Sequence, residues 1–318
     1  AVPAILASVP GLWTSSLIGS QAELDRFRGL GDILAEQGYS TSFHHGAATG
    51  SMGFDAFARI AGFQRYYGRE EYPHPADSLM DGVWGLNDEP FFLDASEKIS
   101  ALKPPFCSVL FSLSSHDPFE LPKYRRPLFA RFKKEDSDFE QSLRYSDFAL
   151  GQFFHAARRA PWFDSTIFII TGDHTMYASR NSVYSAFHVP MLLYAPGIIA
   201  PGRDARAGSH CDILPTVIDL LRLRTPHASM GASLLRTDRQ QYTVVRCGPQ
   251  FGIFRDTLVL MHDLERTVGL YGPRGDPQFE HDLQGALPGT AADLRSKLLA
   301  YLQAASTAIR RDRIWKKQ

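Results

Sequence analysis

Apolar strands alternating with amphipathic helices predict an α/β fold, with a central, mostly parallel sheet covered by helices on both faces. A change of texture predicts an addition to it. After about residue 236 the strands follow one another with turn signals and no helix between them, and a last helix closes the chain. We expect a main α/β domain over residues 1–236 and a C-terminal antiparallel subdomain with a terminal helix over residues 237–318.

The elements follow in order. Ala1 to Pro10 lacks an initiator Met and reads like the middle of a helix, so the chain is expected to start inside a larger protein. Ser20 to Gln37 is helical by spacing, with Leu24, Phe27, Leu30, Ile33 and Leu34 on one face and Gly38 at the stop. A strand over Tyr39–Phe43 runs into His44-His45-Gly46. A helix over Glu89–Leu102 precedes Pro104-Pro105, and a strand over Phe106–Leu113 runs into Ser114-Ser115-His116. Ser137 to Arg159 is a long amphipathic helix stopped by Pro161. Thr166–Thr171 is a strand that ends at Gly172-Asp173-His174, and Pro190–Tyr194 is another. Asp212 to Leu223 is helical, with Asp212 as a good N-cap and Pro215 in the first turn, a structural role for that carboxylate. Strands over Tyr242–Arg246, Gly252–Met261 and Val268–Tyr271 and a helix over Ala291–Ile309 complete the chain.

Composition excludes several classes. The 318 residues are 44% hydrophobic and 21% charged, an ordinary globular balance. The formal net charge is zero, so there is no overall basic field for nucleic acid, and the basic stretch Arg310–Lys317 reads as a solvated helix end. No run of about 18 apolar residues is present to span a bilayer. Cys107, Cys211 and Cys247 show no C-x-x-C spacing and leave the compartment open.

Three predicted strands end in histidine: His44 or His45, His116, and His174. Ligands of open α/β sheets collect beyond the carboxyl ends of parallel strands. If the three strands are parallel neighbours, their imidazoles converge, and Asp173 beside His174 is a pair suited to a divalent metal. His188 precedes a strand, which puts it at the far edge unless that strand is antiparallel. The structural reading of His188 weighs a little more, and it is kept as a substrate-binding candidate. His155 reads as solvated, and His210, His227, His262 and His281 have no evident partners.

Several segments carry a resemblance as an ordered set. They are Phe43-His44-His45-Gly46, the run Leu113–Phe119, Thr171-Gly172-Asp173-His174, and Ser209–Thr216. With Gly50–Asp55, Gly62–Tyr66 and Trp84–Glu89, the chain from residue 1 to about 285 resembles the lipoteichoic acid synthase and phosphoglycerol transferase branch of the sulfatase and alkaline phosphatase superfamily, in its Gram-negative form. The resemblance implies that superfamily's α/β sandwich. It also implies one divalent metal, manganese first and magnesium, zinc or calcium as alternatives, held by a Glu, a nucleophilic Thr and an Asp-His pair. Asp173 and His174 match that pair. His116 matches a histidine that contacts the phosphate and assists the leaving group. His45 matches a substrate-binding histidine, with His44 its rival because adjacent strand residues face opposite ways.

The implied partners are a phospholipid head group as donor and a glycan or other alcohol as acceptor. The implied place is the periplasmic face of the inner membrane, reached through an anchor outside this sequence. Two departures stand out. Where the synthases carry a Trp and an Arg after His-Gly, this chain has Met52 and Phe54, which removes a bidentate phosphate contact. The Glu and the Thr fall before residue 1, in a strand and helix start that would complete the fold, so the chain alone is expected to be inactive. A sulfatase is the nearest rival, but Cys247-Gly248-Pro249-Gln250-Phe251 misses the Arg of C-x-P-x-R. A phosphoethanolamine transferase would carry more histidines and several disulfides. A non-catalytic member that binds a glycan, a head group or a protein is the reading from another class.

Overall fold

The computed structural model describes all residues except 15, 21–26, 74–78, 126–135, 177–182, 238–241, 312–313 and 316–318. In chain order the helices used below are α1 (Val2–Ala7), α2 (Leu30–Glu36), α3 (Phe54–Ile60), α4 (Asp88–Ser100), α5 (Asp138–Ala157), α6 (Val183–Phe187), α7 (Ile213–Leu220) and α8 (Pro288–Arg310). The strands are β1 (Ser40–His45), β2 (Arg65–Tyr67), β3 (Phe106–Phe111), β4 (Phe168–Thr171), β5 (Met191–Tyr194), β6 (Thr243–Cys247), β7 (Gln250–Arg255), β8 (Leu258–His262) and β9 (Thr267–Tyr271). They form two compact units, one of residues 30–166 and one of residues 1–29 with 167–318.

The unit of residues 30–166 holds a parallel sheet in the order β2-β1-β3. β1 lies in the middle and is buried from Thr41 to His45. Phe43 pairs with Tyr66 and His44 with Tyr67, while His45 pairs with Phe111. The end of β1 and the end of β3 therefore share one edge. α2 packs on β1, α3 on β2, and α4 between β3 and α5. α5 starts at a capping box: Ser137 Oγ accepts from the Glu140 N–H, and the Glu140 carboxylate accepts from the Ser137 N–H.

In the other unit β4 and β5 pair antiparallel, with Thr171 opposite Met191. The strand expected at Pro190–Tyr194 thus runs against its neighbour, and its start lies at the same edge as the end of β4. The C-terminal strands form an antiparallel meander, β6-β7-β8-β9. One face packs Ile253, Leu260 and Leu270 against Leu294 and Leu298 of α8.

Three expectations change. The helix expected over Ser20–Gln37 is α2 alone among the described residues. Phe27 is buried outside it, and Leu24 falls outside the described residues. The single strand expected over Gly252–Met261 is two, turned at Asp256 with a positive φ of 53°. Asp212 stands at the N-cap position of α7, as expected, but its side chain makes no capping bond there. It closes a capping box on Ser209, whose N–H it accepts at 2.6 Å, and it also accepts from the Ala232 N–H.

Candidate active site

The two residues that end β1 have different surroundings because alternation turns them to opposite faces. His44 lies with Ser42. Its Nε2 is 3.0 Å from Ser42 Oγ, which bonds Ser108 Oγ, and its ring stacks on Tyr67 at 4.7 Å. His45 lies with Phe43. Its Nδ1 is 3.1 Å from the Tyr66 hydroxyl, and its ring meets Phe54 and Phe111 at 5.2 and 5.4 Å. Both imidazoles are fully buried, and burial pushes their pKa values down, to about 3 for His44, helped by the charge of Lys98, and to about 4 for His45. Each keeps one ring nitrogen without a partner among the described residues, Nδ1 of His44 and Nε2 of His45. Phe54, which replaces the resemblance's Arg, is buried and walls this face with an aromatic ring.

Gly46 brings a second segment to the same edge. Leu86 N–H donates to the Gly46 carbonyl, and a Cβ on Gly85 would stand 2.2 Å from that oxygen, so only glycine permits the crossing. Asp81 Oδ1 shapes the turn by accepting from the N–H groups of Val83, Trp84 and Gly85. Trp84 is thereby laid over His116, with ring centroids 4.3 Å apart. The Asp117 carbonyl accepts from Trp84 Nε1–H at 2.7 Å and faces His116 Nδ1 at 3.0 Å. A carbonyl only accepts, so His116 carries its proton on Nδ1 and leaves a lone pair on Nε2. The loop beneath is anchored by Asp88, fully buried, whose Oδ1 accepts from the N–H groups of Leu113 and Ser114 and whose Oδ2 accepts from Ser146 Oγ.

In the other unit, β4 delivers Gly172, Asp173 and His174. His210 Nε2–H donates to the Gly172 carbonyl at 2.9 Å, and Thr171 Oγ1–H donates to the Pro190 carbonyl. His174 N–H donates to Asp173 Oδ1, while His174 Nδ1 lies 2.9 Å from the Thr175 carbonyl and so donates to it. That leaves the Nε2 lone pair facing Asp173 Oδ2 at 3.5 Å, with the side chains 62% and 40% exposed. Imidazole nitrogen with carboxylate oxygen is a donor set that divalent metals accept. His188 is exposed, stacks on Tyr184 at 4.7 Å, and precedes β5 at the edge where β4 ends.

The structure thus gathers His45 and His116 at one sheet edge of their unit, and Asp173, His174 and His188 at one edge of the other. Tyr66, Trp84 and His210 were missed as partners in the sequence. His262 serves local structure by accepting the Leu264 N–H on Nδ1. The near-match to C-x-P-x-R is a hairpin, because Cys247 pairs with Gln250 across a Gly248-Pro249 turn.

The fold is that of the alkaline phosphatase superfamily. A member from Vibrio parahaemolyticus aligns with a TM-score of 0.81 at 23% identity, over 99% of this chain and 76% of its own. The lipoteichoic acid synthase LtaP from Listeria monocytogenes aligns at 0.77 and 18% identity, over 96% and 78%.

The chain belongs to the Sulfatase family, whose profile matches residues 2–223. Its curated relatives include lipoteichoic acid synthase 1 of Bacillus subtilis, 25% identical over 260 residues, 76% of this chain and 40% of that protein. Phosphoglycerol transferase I of Salmonella paratyphi B is 28% identical over 151 residues, 46% of this chain and 20% of that protein. The chain stands in the branch that those enzymes define, and it spans 40% or less of the length of these two relatives. Enzymes of the superfamily generally use a divalent metal. No described helix is long and apolar enough to cross a membrane.

Proposed function

We propose that the protein containing this chain is a metal-dependent phosphoglycerol transferase-like enzyme. It would move a glycerol-phosphate group from a phospholipid to a periplasmic glycan through a covalent threonine intermediate. The observation that carries this reading is the pair of lone pairs on Asp173 and His174, set 3.5 Å apart by the bonds of His174 to Thr175. Asp173 and His174 would hold the metal, manganese first, which supplies charge screening to the phosphate and acidity to the nucleophile's hydroxyl. His116 would take up a proton from water on the Nε2 lone pair and hand it to the departing alcohol, its Nδ1–H staying on Asp117. His45 would bind an oxygen of the phosphoryl or glycerol group, with His188 a further contact for the substrate. The glutamate and threonine of the resemblance have no matched position in these 318 residues, so the chain alone is expected to be inactive. The place of action would be the periplasmic face of the inner membrane.

The test is the full-length protein with manganese and phosphatidylglycerol vesicles. We expect diacylglycerol release with glycerol phosphate passed to a glucan. We also expect about one ion per chain, and loss of both ion and turnover in Asp173→Ala. Turnover of a sulfate ester in place of the phosphodiester would favour a sulfatase, and a protein that binds no ion would favour a non-catalytic member. Robust turnover by the 318-residue chain alone would refute the assignment of its missing groups.

A further inference from the structure

Tyr66 has one hydrogen-bond partner among the described residues, His45 Nδ1 at 3.1 Å. Its ring is fixed, lying flat on Phe43 with centroids 5.6 Å apart and planes 5° apart. Two arrangements of protons fit that distance. With the proton on Nδ1, the imidazole donates to the phenol. The phenol's own proton then has no acceptor among the described residues, and the Nε2 lone pair is orphaned among them as well. With the proton on Nε2, the phenol donates to Nδ1 and only the Nε2–H is left unpaired. Tyr66 is half-buried, and an imidazole nitrogen accepts better than a phenol oxygen, so the arrangement in which the phenol donates wins. Burial, with the charges of Asp55 and Glu70, pushes the Tyr66 pKa far above its ordinary value and keeps it a donor.

We propose that Tyr66 is a positioning residue, whose hydroxyl locks His45 in the tautomer that presents Nε2–H, so that His45 meets a substrate oxygen as a neutral hydrogen-bond donor and transfers no proton. Nε2 is the ring nitrogen of His45 left without a partner among the described residues. Phe54 and Phe111 flank the ring, which strengthens whatever bond that atom makes by excluding water. His45 is thereby unsuited to binding a metal through Nε2, and unsuited to serving as a base there. The role assigned to the contacted oxygen rests on the phosphoglycerol transfer proposed above; the tautomer does not.

The experiment uses the full-length protein with ring-15N histidine. Two-bond 1H–15N correlations report which nitrogen of each imidazole bears the proton, and His45→Gln identifies the signal. We expect an unprotonated Nδ1 and a protonated Nε2 in the wild type, unchanged between about pH 8 and about pH 5, since the His45 pKa lies near about 4. In Tyr66→Phe, which keeps the stack on Phe43, the two tautomers should mix. A wild-type signal with the proton on Nδ1, or a Tyr66→Phe spectrum identical to wild type, overturns the proposal. In the vesicle assay Tyr66→Phe should lower kcat/KM about tenfold, mostly through KM, with no change in the shape of the pH profile. Unchanged kinetics overturn the functional half of the proposal. If the wild type turns over no phosphodiester, the proposed function fails while the spectra still decide the tautomer.

Discussion

His45 and His116 stand at the same edge of one parallel sheet, yet their neighbours prepare them for opposite tasks. His45 is buried, and a phenol that donates to Nδ1 leaves it a proton on Nε2. His116 is exposed, and a carbonyl that accepts from Nδ1 leaves it a lone pair on Nε2. The Brønsted character of an imidazole thus follows from one partner atom, a hydroxyl in one case and a carbonyl in the other. The comparison teaches that two histidines at one sheet edge need not share a role. A donor to bound oxygen wants a dry, neutral ring, and a proton carrier wants one that water and charge can reach.

The largest effects should separate the two rings in kinetics. His116→Gln in the full-length protein should lower kcat by about 10²–10⁴, the range for a lost acid–base group. His45→Gln should cost on the order of tenfold, mainly in KM. The pH dependence of kcat should disappear with His116 and persist without His45. A His45 variant that flattens the pH profile while His116→Gln leaves it intact would invert the comparison.

Next in size is the acid response of the buried side. His44 and His45 titrate far lower folded than the ordinary value near 6.5, at about 3 and about 4. The unfolded chain therefore binds more protons in that interval. The stability these residues contribute is complete above about pH 6.5 and is lost as pH falls toward the folded values, by roughly 1.4 kcal/mol per pH unit for each ring. Urea denaturation at neutral pH and at pH 4.5 should show the loss, and His44→Asn should flatten part of it. Equal stability at both pH values would contradict the burial of these rings.

Much of this was legible in the sequence and some was not. Uninterrupted apolar strands running into His45, His116 and Asp173-His174 gave the strand ends, and alternation alone put His44 and His45 on opposite faces. Tyr66 was not legible because β2 has three residues, too few for periodicity to show a strand. The direction of β5 was illegible too, since an apolar run carries no orientation, and with it the placement of His188. His210 was missed because its partner is a backbone carbonyl thirty-eight positions away. Trp84 was quoted only as part of a motif; its reach to His116 depends on the crossing of Gly46 and Gly85, which no local pattern encodes.

The scaffold under His116 offers a third, smaller effect. Asp88→Ala leaves the N–H groups of Leu113 and Ser114 and the hydroxyl of Ser146 without their buried acceptor. The expected loss is about 3 kcal/mol in chemical denaturation, with exchange protection at Leu113 and Ser114 falling first. The tautomer of His45 should be untouched, because its partner Tyr66 lies on the other side of β1 from β3. A Tyr66–His45 signal that moved with Asp88 would mean that the two rings are prepared together.

The finest cut is Trp84→Phe. It keeps an aromatic ring over His116 and removes only the indole N–H that shares the Asp117 carbonyl with His116 Nδ1. That carbonyl then has a single donor, and the His116 Nδ1–H bond should shorten while the loop loses one tether. The expected cost is about 1 kcal/mol of stability and a fall in kcat of a few fold. KM should stay unchanged, because His45, the ring proposed to bind substrate, has no bond to Trp84 among the described residues. Trp84→Ala should cost more, since the face that holds the imidazole goes with it. Should Trp84→Phe raise KM while leaving kcat alone, the indole would belong with His45 on the binding side, and the line between the two histidines would have to be redrawn around it.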